Sequence, residues 1–125
     1  MYNGQDLFCA TPPLESVRAL VTKLTCEDPL SSSNPWKAAL ADVSRAHFYA
    51  PSVREVFIKL PREDPDSNTP GACGRLLKTM YGTLDAGELW SLHYSRVLIG
   101  AGFVQGAASP CHFHHPGLDI WVVVH

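Results

Sequence analysis

The chain has 125 residues, 46% of them apolar and 18% charged, with a formal charge of -2. That length suits one domain or one piece of a larger one, and the composition excludes a disordered chain. The near-neutral balance gives no global basic field, which argues against a self-sufficient nucleic-acid binder but leaves room for a local groove.

Residues 1–13 are polar and turn-rich, with Asn3-Gly4 and Pro12-Pro13. Leu14, Val17, Leu20, Val21 and Leu24 then recur at helical spacing, predicting a helix with one apolar face over Leu14 to Cys26. Thr11 before two prolines and Glu15 in the first turn supply its start signal. Glu27 to Pro35 reads as a surface loop, too short to separate two domains. The short apolar run Ala38-Ala39-Leu40-Ala41 feeds into Asp42 and Val43, predicting a buried strand that ends at Asp42. An acid at such a point is costly unless it is paired, hydrogen-bonded or holding a metal. On chemistry alone a cap or an ion-pair partner is the commoner explanation of such an acid.

Val56 to Leu60 is a predicted strand with Val56, Ile58 and Leu60 on one face, and Arg62 to Gly71 a solvated loop. Cys73 to Tyr81 reads as a strand and Gly82 as a turn. Leu84 to Phe103 is the strongest predicted helix: Asp85 and Glu88 fit a capping box, and Gly100 and Gly102 end it. Its apolar stripe is Leu89, Trp90, Tyr94, Val97, Leu98 and Ala101. Strands over Cys111 to His115 and Leu118 to His125 flank the turn dipeptide Pro116-Gly117. This order predicts an α+β fold, an antiparallel-rich sheet with two main helices packed on one face.

Cys9, Cys26, Cys73 and Cys111 are far apart and form no C-x-x-C pair, so zinc-ribbon spacing is absent. No basic region followed by an apolar one opens the chain, and no apolar run reaches the length of a membrane span. Free thiols and an intracellular location, cytoplasmic or nuclear, with no membrane partner, are expected.

Three stretches resemble the reverse transcriptases of copia-type retrotransposons. Asp42-Val43-Ser44-Arg45-Ala46-His47-Phe48-Tyr49-Ala50, followed by Arg54-Glu55-Val56-Phe57-Ile58-Lys59-Leu60-Pro61, is similar to that family's first catalytic motif and the strand after it. Cys73 to Trp90 matches a family segment with one residue inserted, keeping Cys73, Arg75, Leu76, Lys78, Tyr81-Gly82, Ala86 and Trp90 in place. Tyr-Gly at that distance before Trp has no general structural necessity. Gly102-Phe103, Pro110 to Phe113 and the apolar strand Ile120 to Val124 resemble the approach to the family's Asp-Asp motif. Asp6 to Phe8 and Ser16 to Leu20 are similar to its entry helix, so the resemblance spans nearly the whole chain.

The resemblance implies a partial polymerase palm and fingers. Residues 1–125 would be a single incomplete reverse-transcriptase domain, without its N-terminal fingers segment and its C-terminal catalytic hairpin. The parent would act on a template-primer and a deoxynucleoside triphosphate by two-metal nucleotidyl transfer with Mg2+. Asp42 matches the first catalytic carboxylate, with the Val43 carbonyl as a further metal ligand. Arg45 and Ala46 would face the triphosphate through their amides, His47 would lie under the sugar, and Tyr81 and Gly82 would line the nucleotide pocket. The paired acids would follow His125, so these 125 residues alone are expected to lack polymerase activity. Two departures stand inside the match. His47 replaces an aromatic Phe, and Leu84-Asp85-Ala86-Gly87-Glu88 replaces a basic Lys-Gln-Ala-Pro-Arg pattern.

Two other readings compete. Cys111-His112-Phe113-His114-His115 invites a small metal-binding domain, with His112 and His114 on one face of a strand. A non-catalytic remnant or interaction module is the other, self-associating through the exposed apolar last strand, Ile120 to Val124. Trp90 and Trp121 are expected in the core, with Trp36 open to either a packing or a base-stacking role.

Overall fold

A computed structural model describes residues 11–26 and 36–125. The turn-rich start and the Glu27 to Pro35 loop lie outside these residues, apart from Thr11 to Pro13. The chain is a small α+β protein whose strands all pair antiparallel, and it forms two compact units. The first has Ser44–His93 as its described part; the second joins residues up to Val43 to Tyr94–His125.

In the first unit, β1 (Phe57–Lys59) and β2 (Cys73–Arg75) form a two-stranded sheet with Phe57 opposite Arg75 and Lys59 opposite Cys73. Val56, Ile58 and Leu60 are half-buried and their neighbours exposed, the alternation the sequence predicts. The connection carries a 3-10 turn, Pro65–Asn68, capped by the Asp64 side chain on the Asp66 N–H. The strand expected over Cys73 to Tyr81 is regular only as far as Arg75. Beyond it Leu76 N–H bonds the Val56 carbonyl, but the Leu77 carbonyl takes the Ser52 N–H. Val53, Arg54 and Glu55 therefore bulge between consecutive rungs and break the ladder. Pairing resumes at a Pro51–Lys78 bridge.

Helix α1 (Leu14–Cys26) keeps its expected bounds, and α2 (Ala86–Gly100) begins in the first unit and ends in the second. Asp85 sits at the N-cap position of α2, and its carbonyl accepts from Leu89 N–H. Its carboxylate binds Arg54 rather than completing a capping box. At the other end Phe103 N–H bonds the Leu98 carbonyl and Gly102 N–H the Ile99 carbonyl, the two bonds of a Schellman motif. Gly102 has φ 95°, the left-handed region that this stop requires.

In the second unit β3 (Val104–Gln105), β4 (His112–His115) and β5 (Ile120–Val123) form a sheet in that order. Phe113 pairs with Val122 and His112 with Val123. Cys111 and Phe113 are fully buried, and Phe113 meets the Tyr94 ring of α2 edge-on at 6.0 Å. His112, His114, Trp121 and Val123 lie on the opposite face, where Lys23 of α1 reaches Trp121. The two helices thus flank opposite faces of this sheet, where the sequence had placed both on one.

Three further expectations fail. Residues 36–43 form no strand, and Leu40 is fully exposed. Ala38-Ala39-Leu40-Ala41 offers one large side chain, and among the described residues no strand pairs with it. On α1 the inward residues are Ser16, Leu20 and Leu24, while Leu14, Val17 and Val21 face water. Trp121 is 44% exposed rather than core. The exposed thiols Cys26 and Cys73 are free, and no helix of the described residues is long and apolar enough to cross a membrane.

Candidate functional site

The first unit gathers residues that are far apart in sequence. A 3-10 turn, Ala46–Tyr49, starts from Arg45, whose backbone is left-handed at φ 56° and ψ 40°. A side chain there costs about 1 kcal/mol. Long-range bonds hold the turn. The Thr79 hydroxyl donates to the His47 carbonyl. Thr79 N–H donates to the Ala50 carbonyl at 2.9 Å, and Lys78 Nζ to the Tyr49 carbonyl at 3.3 Å. Ala50 and Thr79 are both buried, so the bonds between these two segments are shielded from water there.

His47 Nδ1 lies 3.1 Å from the Ala86 carbonyl. A carbonyl only accepts, so this bond assigns a proton to Nδ1 and fixes the ring. The Tyr81 ring stands edge-on to His47 at 4.5 Å, and Phe48 meets the same tyrosine at 6.1 Å. Gly82 follows at φ 88° in a turn closed by Thr83 N–H on the Met80 carbonyl. That turn carries Tyr81 against residues 47 and 48. Phe48 and Tyr81 remain 43% and 56% exposed, so the patch is an open aromatic surface. Arg45, Ala46, His47, Tyr81 and Gly82 thus all belong to one local arrangement.

Arg54 and Asp85 brace it. Nε and Nη2 of Arg54 meet the two Asp85 oxygens at 2.7 and 2.9 Å. Asp85 is buried, while a third of the Arg54 side chain meets water. The guanidinium hydrogen bonds hold Asp85 below the usual carboxylate range, against the opposing pull of burial. Asp85 precedes Ala86, whose carbonyl orients His47. Sequence reasoning missed Arg54, Thr79 and the Ala86 carbonyl, because no spacing links residues 30 to 40 apart.

Asp42 and Val43 belong to the second unit and are exposed in an irregular stretch. No group of three His, Cys, Asp or Glu side chains suited to a metal ion occurs among the described residues. A two-ion centre needs several hard oxygen donors together. The described residues by themselves supply no such group. The Cys111–His115 run disperses as well. Cys111 is buried with Phe113, His114 Nε2 bonds Asp119 at 3.0 Å, and His115 Nδ1 accepts from Leu118 N–H at 3.2 Å.

In comparisons with known proteins, no family model, curated protein or solved structure matches the chain.

Proposed function

We propose that the chain is a segment of a copia-type reverse transcriptase, a partial palm and fingers whose parent polyprotein synthesises DNA on a nucleic-acid template. One observation carries the reading. His47 of the first resembling stretch and Tyr81 of the second, 34 positions apart, meet at 4.5 Å with Gly82 beside them. Those are the residues that the resemblance assigns to the incoming nucleotide. On this reading His47 and Tyr81 take the sugar and base of a deoxynucleoside triphosphate, with Arg45 at the edge of the patch. On this reading Asp42 is one of the carboxylates that hold Mg2+ in the parent.

The test is a titration of the isotope-labelled chain with dTTP, followed by amide and ring resonances. Saturable shifts at residues 45–47 and 81–82, weakened at least about tenfold in Tyr81→Ala by loss of stacking, are expected. Shifts elsewhere, or none at these positions, overturn the nucleotide assignment.

A second reading has its own observation. Val124 N–H bonds the Cys111 carbonyl, so Trp121 and Val123 turn their backbone groups to the outer edge of β5. Among the described residues no strand pairs with that edge. On this reading such an edge recruits a second copy by strand addition, and the chain serves as a non-catalytic interaction module.

A further inference from the structure

The second unit holds a cleft of about 150 Å³ between α1 and the β4–β5 hairpin. Leu20 and Val123 supply part of an apolar wall, Trp121 a flat aromatic side, and Lys23 and His112 the polar groups. A cavity of about that volume accommodates a benzene ring.

Two details bear on what it takes. First, Trp121 is held in place: it stacks on His114 with ring centres 4.1 Å apart, and its Nε1–H donates to Asp119 at 3.0 Å. Second, the Lys23 ammonium stands over the rings of both Trp36 and Trp121, 4.6 and 5.0 Å from their centres. The nearby Asp119 carboxylate is engaged by His114 and Trp121. The lysine's cation therefore rests on π-faces, a contact weaker than a charge-assisted hydrogen bond.

We propose that this cleft binds a small aromatic anion, a single planar ring carrying a carboxylate. The ring lies against Trp121 and the aliphatic wall. The carboxylate draws Lys23 off the indoles. The exchange favours binding because Lys23 trades two cation–π contacts for an ion pair. This site is independent of the nucleotide reading, since it uses none of the same residues.

The experiment titrates the full chain with benzoate and, separately, with neutral benzamide, reading the indole Nε1 resonances of Trp36 and Trp121. Saturable shifts at both, with benzoate binding about tenfold tighter than benzamide, are expected from one charge-assisted contact. Lys23→Met removes that preference and Lys23→Arg keeps it. No saturable shift at Trp121, or equal affinity of the native chain for the two probes, overturns the proposal. The native comparison needs no variant and stands even where Lys23→Met fails to fold.

Discussion

Replacing Asp85 with Asn takes one charge from the pair that ties the Val53–Glu55 bulge to the start of α2. The Asp85 side chain is 7% exposed and that of Arg54 35%, so the pair lies between the buried and surface limits. Breaking a fully buried pair costs about 3–5 kcal/mol, whereas surface pairs contribute about 0–1 kcal/mol. Asp85→Asn leaves a guanidinium that water still reaches, and about 1.5 kcal/mol is expected. Arg54→Met leaves a dry carboxylate unpaired, and about 2.5 kcal/mol is expected. The double variant should cost less than the sum of the two by about 1 kcal/mol or more. Acid supplies a second readout. Because the folded-state pKa of Asp85 is depressed, the unfolded chain takes up its proton first as pH falls. The stabilisation is complete above about pH 4 and is lost as pH falls through the folded value. Urea denaturation followed by circular dichroism at pH 7 and pH 3 measures both effects, and the gap between native chain and Asp85→Asn should narrow at pH 3. Strictly additive single variants, or a gap unchanged by acid, would refute the reasoning.

Gly102→Ala should destabilise by about 1–2 kcal/mol, because the site has φ 95° and a Cβ would come 2.8 Å from His115 Nε2; a melting temperature unchanged from native would contradict this. The edge of β5, which no strand of the described residues covers, predicts concentration-dependent self-association in analytical ultracentrifugation. Ile120→Lys should restore a monomer, and a native chain that is monomeric at all concentrations contradicts it. Primer extension by these 125 residues alone should not rise above background.

Elements that carry their own signals were legible in the sequence. The proline and acid before Ser16 marked the start of α1, Gly102 marked the stop of α2, and Pro116-Gly117 marked the β4–β5 turn. Alternation at Val56, Ile58 and Leu60 gave the face of β1. What failed depended on partners that are distant in sequence. The Ala38–Ala41 run reads as buried only if another strand covers it, and three alanines hold too little apolar surface to enforce that. The bulge at Val53–Glu55, which cut short the expected Cys73 strand, comes from a mismatch between two segments that periodicity within either cannot reveal. Two residues of β3 are too few to show a period. In the candidate site, the nearness of His47 and Tyr81 was expected only through the family resemblance, and the Arg54–Asp85 brace was not expected at all. Asp85 and Glu88 looked like a capping box, but the Asp85 carboxylate had a stronger partner within reach.

The most direct test of the reverse-transcriptase reading is primer extension by the parent polyprotein, comparing the native sequence with Asp42→Asn under Mg2+. The account predicts templated DNA synthesis that falls to background in the variant. Synthesis that continues at the native rate in Asp42→Asn, or none from the native parent, would contradict it.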